Sequence, residues 1–88
     1  MNIHYTLDQL IVLEAIVRTG SFGKAAKELY RVPSAISYSV SCLEEALELQ
    51  LFDRTKRKAH LTVEGHRIYN EALKILETSE ELQRLSNH

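Results

Sequence analysis

The chain has 88 residues, 44% of them hydrophobic and 26% charged, with a formal net charge of −1. This is enough for one small domain, or for one domain with an extension, and the apolar content excludes a disordered chain. Apolar runs of only a few residues exclude a membrane-spanning helix, and a single cysteine, Cys42, excludes both a disulfide framework and a cysteine metal motif.

The N-terminal stretch MNIHYTLDQ lacks a basic region followed by an apolar one, so no signal peptide is expected and a cytoplasmic location is the simplest expectation. Thr6 and Gln9 have the spacing of a capping box. Leu7, Leu10, Ile11, Leu13, Ile16 and Val17 then recur at helical spacing until Gly20, which predicts a first helix that is mostly core.

Ser21 is placed to cap a second helix running from Phe22 to about Leu29. Phe22, Ala25, Ala26 and Leu29 form its inner stripe, and Lys24 and Lys27 face out. Tyr30, Arg31 and Val32 make a turn. Pro33 suits the first position of a third helix, where a missing N–H costs nothing. Ile36, Val40, Leu43 and Leu47 mark the buried face of that helix, and Ser34, Ser37, Tyr38 and Ser41 lie off it. Helix, turn and helix over 21–40 form a helix-turn-helix, with Ala25 and Ala26 small enough for a close crossing.

Leu51 to Thr55 alternates enough for a short strand, Lys56 and Arg57 make a polar turn, and Lys58 to Leu61 returns as a second strand. Two such strands after a helix-turn-helix predict a wing over 51–61. Thr62 caps a last helix that starts near Val63 and runs to the end of the chain. At 1.5 Å per residue such a helix is ~37 Å long, more than so small a domain can cover. Its apolar stripe of Ile68, Ala72, Ile75, Leu76, Leu82 and Leu85 therefore calls for a second chain or another domain. The predicted class is mainly α: a winged helix-turn-helix of three helices plus a two-stranded wing over 1–62, followed by a long linker and dimerisation helix over 63–88.

Charge is uneven. Residues 18–67 hold nine Lys/Arg against six Asp/Glu, a net +3, and residues 68–88 hold two against four, a net −2. A basic middle between acidic ends suits a DNA-facing surface on a nearly neutral domain. A recognition helix needs small hydrogen-bonding side chains near its N-terminus. Four serines in the eight residues from Ser34 to Ser41 are more than helix propensity favours. Pro33, Ser34, Ala35, Ser37, Tyr38 and Ser41 are the candidate base-reading residues, with Pro33 and Ala35 offering apolar contact to thymine methyls. Ser21, Lys24 and Arg31, with Arg54, Thr55, Lys56, Arg57 and Lys58 on the wing, are the candidate backbone contacts.

No catalytic set is expected, and no metal or cofactor. His4, His60, His66 and His88 lack ligand spacing, Cys42 has no histidine partner, and the three glycines form no phosphate loop. A helical adaptor whose acidic last helix pairs with another protein is the second reading that these residues leave open.

The order of motifs resembles the DNA-binding domain of LysR-type transcriptional regulators. The resemblance is carried by Gly20-Ser21-Phe22, Ala25-Ala26, Leu29, Ser34-Ala35-Ile36-Ser37, Leu43-Glu44-Glu45, Leu51-Phe52-Asp53-Arg54 and Leu61-Thr62 with Gly65. It implies a sequence-specific, double-stranded-DNA-binding winged domain whose linker helix pairs in a homodimer, with many members tetrameric at full length. It also implies a following domain that senses a small-molecule effector; because the chain stops at His88, a separate DNA-binding fragment is expected. Two departures stand out. The family's recognition helix usually opens with Ser-Gln-Pro, and here the matching positions are Val32, Pro33 and Ser34. A basic residue commonly follows the serine matched by Ser37, and here it is Tyr38. With no Lys or Arg from Val32 to Gln50, the expected site is read by hydroxyls, methyl contacts and DNA shape.

Overall fold

The structure is a computed structural model that describes residues 1–86. Four helices follow in order: α1 Leu7–Thr19, α2 Phe22–Glu28, α3 Pro33–Leu47 and α4 Val63–Ser86. The end expected for the last helix at residue 88 lies outside the described residues.

Each boundary has a local chemical cause. Thr6 Oγ1 accepts the Gln9 N–H at 3.1 Å while Gln9 Oε1 accepts the Thr6 N–H at 2.9 Å, so the capping box satisfies two donors at once. Gly20 ends α1 at φ 86°, a left-handed conformation that costs glycine little, and returns its N–H to Ile16 O. Ser21 Oγ accepts the Lys24 N–H at 2.9 Å and opens α2 one residue later. Pro33 occupies the start of α3, and Val32 before it has no side-chain acceptor to offer. Thr62 Oγ1 accepts the Gly65 N–H at 2.9 Å and donates to Gln50 O at 2.6 Å, which opens α4 and pins its start to the strand region.

The core is one cluster. Leu10, Val12, Leu13, Ala15 and Ile16 of α1 meet Ala25 and Ala26 of α2, Ile36, Val40 and Leu43 of α3, and Leu51 and Phe52 beyond it. Helix α1 contacts all three other helices, α2 also contacts α3 and buries its two alanines, and α4 meets α1 alone among the helices described. No polar side chain is buried among the described residues.

Two expectations change here. The wing ribbon contracts to a single antiparallel bridge, Phe52 with Leu61, flanked by Asp53 N–H to His60 O at 2.7 Å and Thr62 N–H to Leu51 O at 2.9 Å. Its strands do not reach Thr55 or Lys58, because the Asp53 carboxylate accepts the Thr55 N–H at 2.9 Å and its hydroxyl at 2.5 Å, turning the chain one residue after the bridge. The second change concerns α4. Ala72, expected at a dimer interface, is 1% exposed within the chain's own core, and Ile68, Ile75 and Leu76 pack partly against that core. The first half of the stripe has a local partner because α1 lies alongside it. Leu82 and Leu85 stay 68% and 60% exposed.

Candidate nucleic-acid interface

Helix α3 buries Ile36, Val40 and Leu43 and turns its other face outward. Pro33, Ser34, Ser37, Tyr38 and Ser41 are exposed on it, and Ala35 is half-buried. The helix runs between two grooves of opposite character. Ser37 lines a groove of about 280 Å³ with Phe22, Phe52, Arg54, Lys56, Arg57 and Lys58. Tyr38 lines one of about 550 Å³ with His4, Gln9, Cys42, Glu45 and Glu48. Adjacent residues of the helix thus face a basic side and an acidic side. The Cys42 thiol, one turn on, holds the Tyr38 phenol above its ordinary pKa range, and the negative charge of Glu45 adds to the rise.

The wing tip presents Lys56, Arg57 and Lys58, all exposed and in no ion pair among the described residues. Lys24, on the first turn of α2, is likewise exposed and unpaired. Ser21 is half-buried, with its hydroxyl engaged as the α2 cap. Hydrogen bonds from the Thr55 hydroxyl and N–H keep Asp53 well below the usual carboxylate range, so the turn carries a fixed negative charge at its root and positive charge at its tip.

Two expected cations are already engaged. Arg31 donates to both oxygens of Asp8 at 2.9 and 2.7 Å, a bidentate pair that lowers the Asp8 pKa and raises that of Arg31. Arg54 donates from Nη2 to Glu44 Oε1 at 3.3 Å and stands 5.7 Å from the Phe22 ring centroid. Sequence reasoning missed both acidic partners. Asp8 entered only the charge count, and Glu44 only the motif Leu43-Glu44-Glu45. Tyr30, in the turn expected over residues 30–32, takes φ 56° and is 96% exposed.

The described residues hold no group of three or more His, Cys, Asp or Glu side chains able to hold a metal ion, and no helix long and apolar enough to cross a membrane.

Residues 7–66 match the family model described as the bacterial regulatory helix-turn-helix protein of the lysR family. A probable RuBisCO transcriptional regulator from Synechocystis is 46% identical over 83 residues, which are 94% of this chain and 24% of that protein. The uncharacterized HTH-type transcriptional regulator YeeY of Escherichia coli is 40% identical over 78 residues, 89% of this chain and 25% of its own length. The chain thus spans about a quarter of the length of these curated relatives. Among solved structures, the BenM DNA-binding domain in complex with benA site 1 DNA superposes with a TM-score of 0.86 at 33% identity, covering 92% of this chain and 91% of that one. The CbnR DNA-binding domain bound to DNA gives 0.85 at 30% identity, covering 92% and 93%. Full-length OxyR from Pseudomonas aeruginosa gives 0.89 at 30%, covering 94% of this chain and 28% of its own. The four helices, the short wing and the family match over residues 7–66 agree: the chain belongs to the LysR family of bacterial regulatory helix-turn-helix proteins, and its fold is that family's winged helix-turn-helix DNA-binding domain.

Proposed function

We propose that this domain binds double-stranded DNA sequence-specifically, as a homodimer, in the service of transcription regulation. Helix α3 enters the major groove, and the wing lies along the backbone or in the adjacent minor groove. The observation that carries this is the placement of charge. The α3 face that carries Ser34, Ser37 and Ser41 is rich in hydroxyls, Ser37 shares a groove with Lys56, Arg57 and Lys58, and Lys24 is exposed on the first turn of α2; none of these four cations is in an ion pair among the described residues. An α-helix ~10–12 Å across fits the B-DNA major groove, ~12 Å wide. Phosphate contacts then fix register, and base edges are read by Ser34, Ser37, Tyr38 and Ser41 with apolar contact from Pro33 and Ala35. The two solved DNA complexes of the same fold support this docking.

The division of labour is a reading unit over 1–62 and a linker helix that begins at Val63. The dimer surface consists of Leu82 and Leu85 with the rim of the open groove between α1 and α4, where Leu7, Ile11, Leu73 and Leu76 line about 710 Å³. A second copy of α4 is the occupant, as the linker-helix resemblance implies, and each subunit reads one half-site of an inverted repeat. In a full-length regulator a small-molecule effector acts through a further domain, tetramers form, and the protein works in the cytoplasm without catalysis of its own. Selection of bound sequences from a random duplex pool tests the reading: an inverted repeat with fixed half-site spacing is expected, and recovery of unenriched sequences contradicts it.

A further inference from the structure

Glu44 sits near the end of α3, and its side chain is 14% exposed. Its Oε2 accepts the Leu51 N–H at 2.7 Å and the Phe52 N–H at 3.4 Å, and its Oε1 faces Arg54 Nη2 at 3.3 Å. Phe52 in turn meets Phe22 edge-on, with ring centroids 5.2 Å apart and planes at 63°, and the Arg54 guanidinium lies over that same Phe22 ring. One carboxylate on the recognition helix therefore holds the first residues of the wing and draws back the cation that precedes its tip. A ribbon with a single bridge has little stiffness of its own. The wing's position beside Ser37 is set by these bonds to α3.

The charge consequence is separate from the geometric one. Arg54 would be a fourth cation beside Lys56, Arg57 and Lys58. Paired with Glu44, it releases no counterion on binding and adds nothing to sequence-independent affinity. We propose that Glu44 is a positioning residue for DNA recognition, fixing the wing against α3 and holding Arg54 off the phosphate backbone, so that random-sequence binding stays weak relative to specific binding. This rests on the DNA-binding reading above. Charge-assisted bonds to two backbone N–H groups suit the part, because a neutral side chain in the same place would hold the wing and leave Arg54 free.

The test uses the whole chain, with two probes: the duplex it selects from a random pool, and a random-sequence duplex. Glu44→Gln keeps an acceptor for the Leu51 N–H and removes the charge. The expected result is tighter binding to the random duplex, a salt slope steeper by ~0.9 from one more phosphate contact, and a smaller ratio of specific to non-specific affinity. Adding Arg54→Met to that variant should restore the native slope. Arg54→Met alone should leave the slope unchanged, whereas Arg57→Ala should reduce it by ~0.9. An unchanged slope and ratio in Glu44→Gln overturns the proposal. So does a slope lowered by Arg54→Met alone, which would make Arg54 a phosphate contact and decides the matter even where Glu44→Gln fails to fold. Absence of duplex binding by the native chain at low salt marks the failure of the DNA-binding reading itself.

Discussion

Arg31 and Asp8, 23 residues apart, form a bidentate ion pair that ties the turn before α3 to the first turn of α1. Arg31 is consequently occupied with holding the recognition helix in place. Arg31→Ala is expected to leave the salt slope of DNA binding nearly unchanged while lowering thermal stability modestly, since both partners are partly solvated. The linkage has a definite sign. Asp8 has a folded pKa below its unfolded one, so the pair's stabilisation is fully present above the unfolded value of ~3.9 and is lost as pH falls through the lower, folded value. Urea unfolding of the native chain and of Asp8→Asn should differ at neutral pH and converge in strong acid. A difference that persists in acid contradicts the assignment.

On the proposed docking, the wing tip supplies charge without sequence information. Replacing Lys56 and Arg57 together by alanine should weaken binding to all duplexes alike and reduce the slope of log affinity against log salt by ~1.8, two contacts at ~0.9 each. Titration at several salt concentrations reads both. Loss confined to one sequence would mean that the tip reads bases.

The outward face of α3 should behave in the opposite way. Ser37→Ala should change preference at one base-pair position by about 1–3 kcal/mol and leave the salt slope intact. Tyr38→Phe separates two roles. It keeps the ring and removes the hydroxyl, so altered preference points to the hydroxyl and retained preference to the ring. Competition binding with single-position variants of the selected site measures each. A uniform loss across all variants would make these residues positional.

The two halves of α4 should part company under mutation. Leu82→Glu and Leu85→Glu change side chains that the fold leaves exposed and should yield monomers in sedimentation with the helical fold intact. Ala72→Leu enlarges a side chain already in the core and should lower stability by about 1–3 kcal/mol through overpacking. An unchanged mass for the two glutamate variants refutes the linker-helix interface.

The helices were legible because their ends are written locally: Thr6 with Gln9, Gly20, Ser21, Pro33 and Thr62 each start or stop a helix within four residues. Periodicity likewise identified Ile36, Val40 and Leu43 as the buried face of α3. What was not legible depends on partners far along the chain. Nothing near Arg31 or Arg54 announces Asp8 or Glu44, so their free charge was overcounted. The stripe on α4 carries no mark of which of its residues α1 covers, and so Ala72 was grouped with Leu82. The wing read as longer than it is because the alternation from Leu51 to Thr55 carries no mark of the Asp53 turn that interrupts it.

The most direct measurement is the affinity of this chain for duplex DNA across a range of salt concentrations. Neutralised phosphates release counterions, so log affinity should fall linearly with log salt, with a slope set by Lys24, Lys56, Arg57 and Lys58 on each subunit. Four contacts per subunit correspond to a slope of about −3.6 for one half-site and about −7 for a dimer on two. A flat response, or no duplex binding at low salt, would contradict the account and favour a protein-binding role for the same fold.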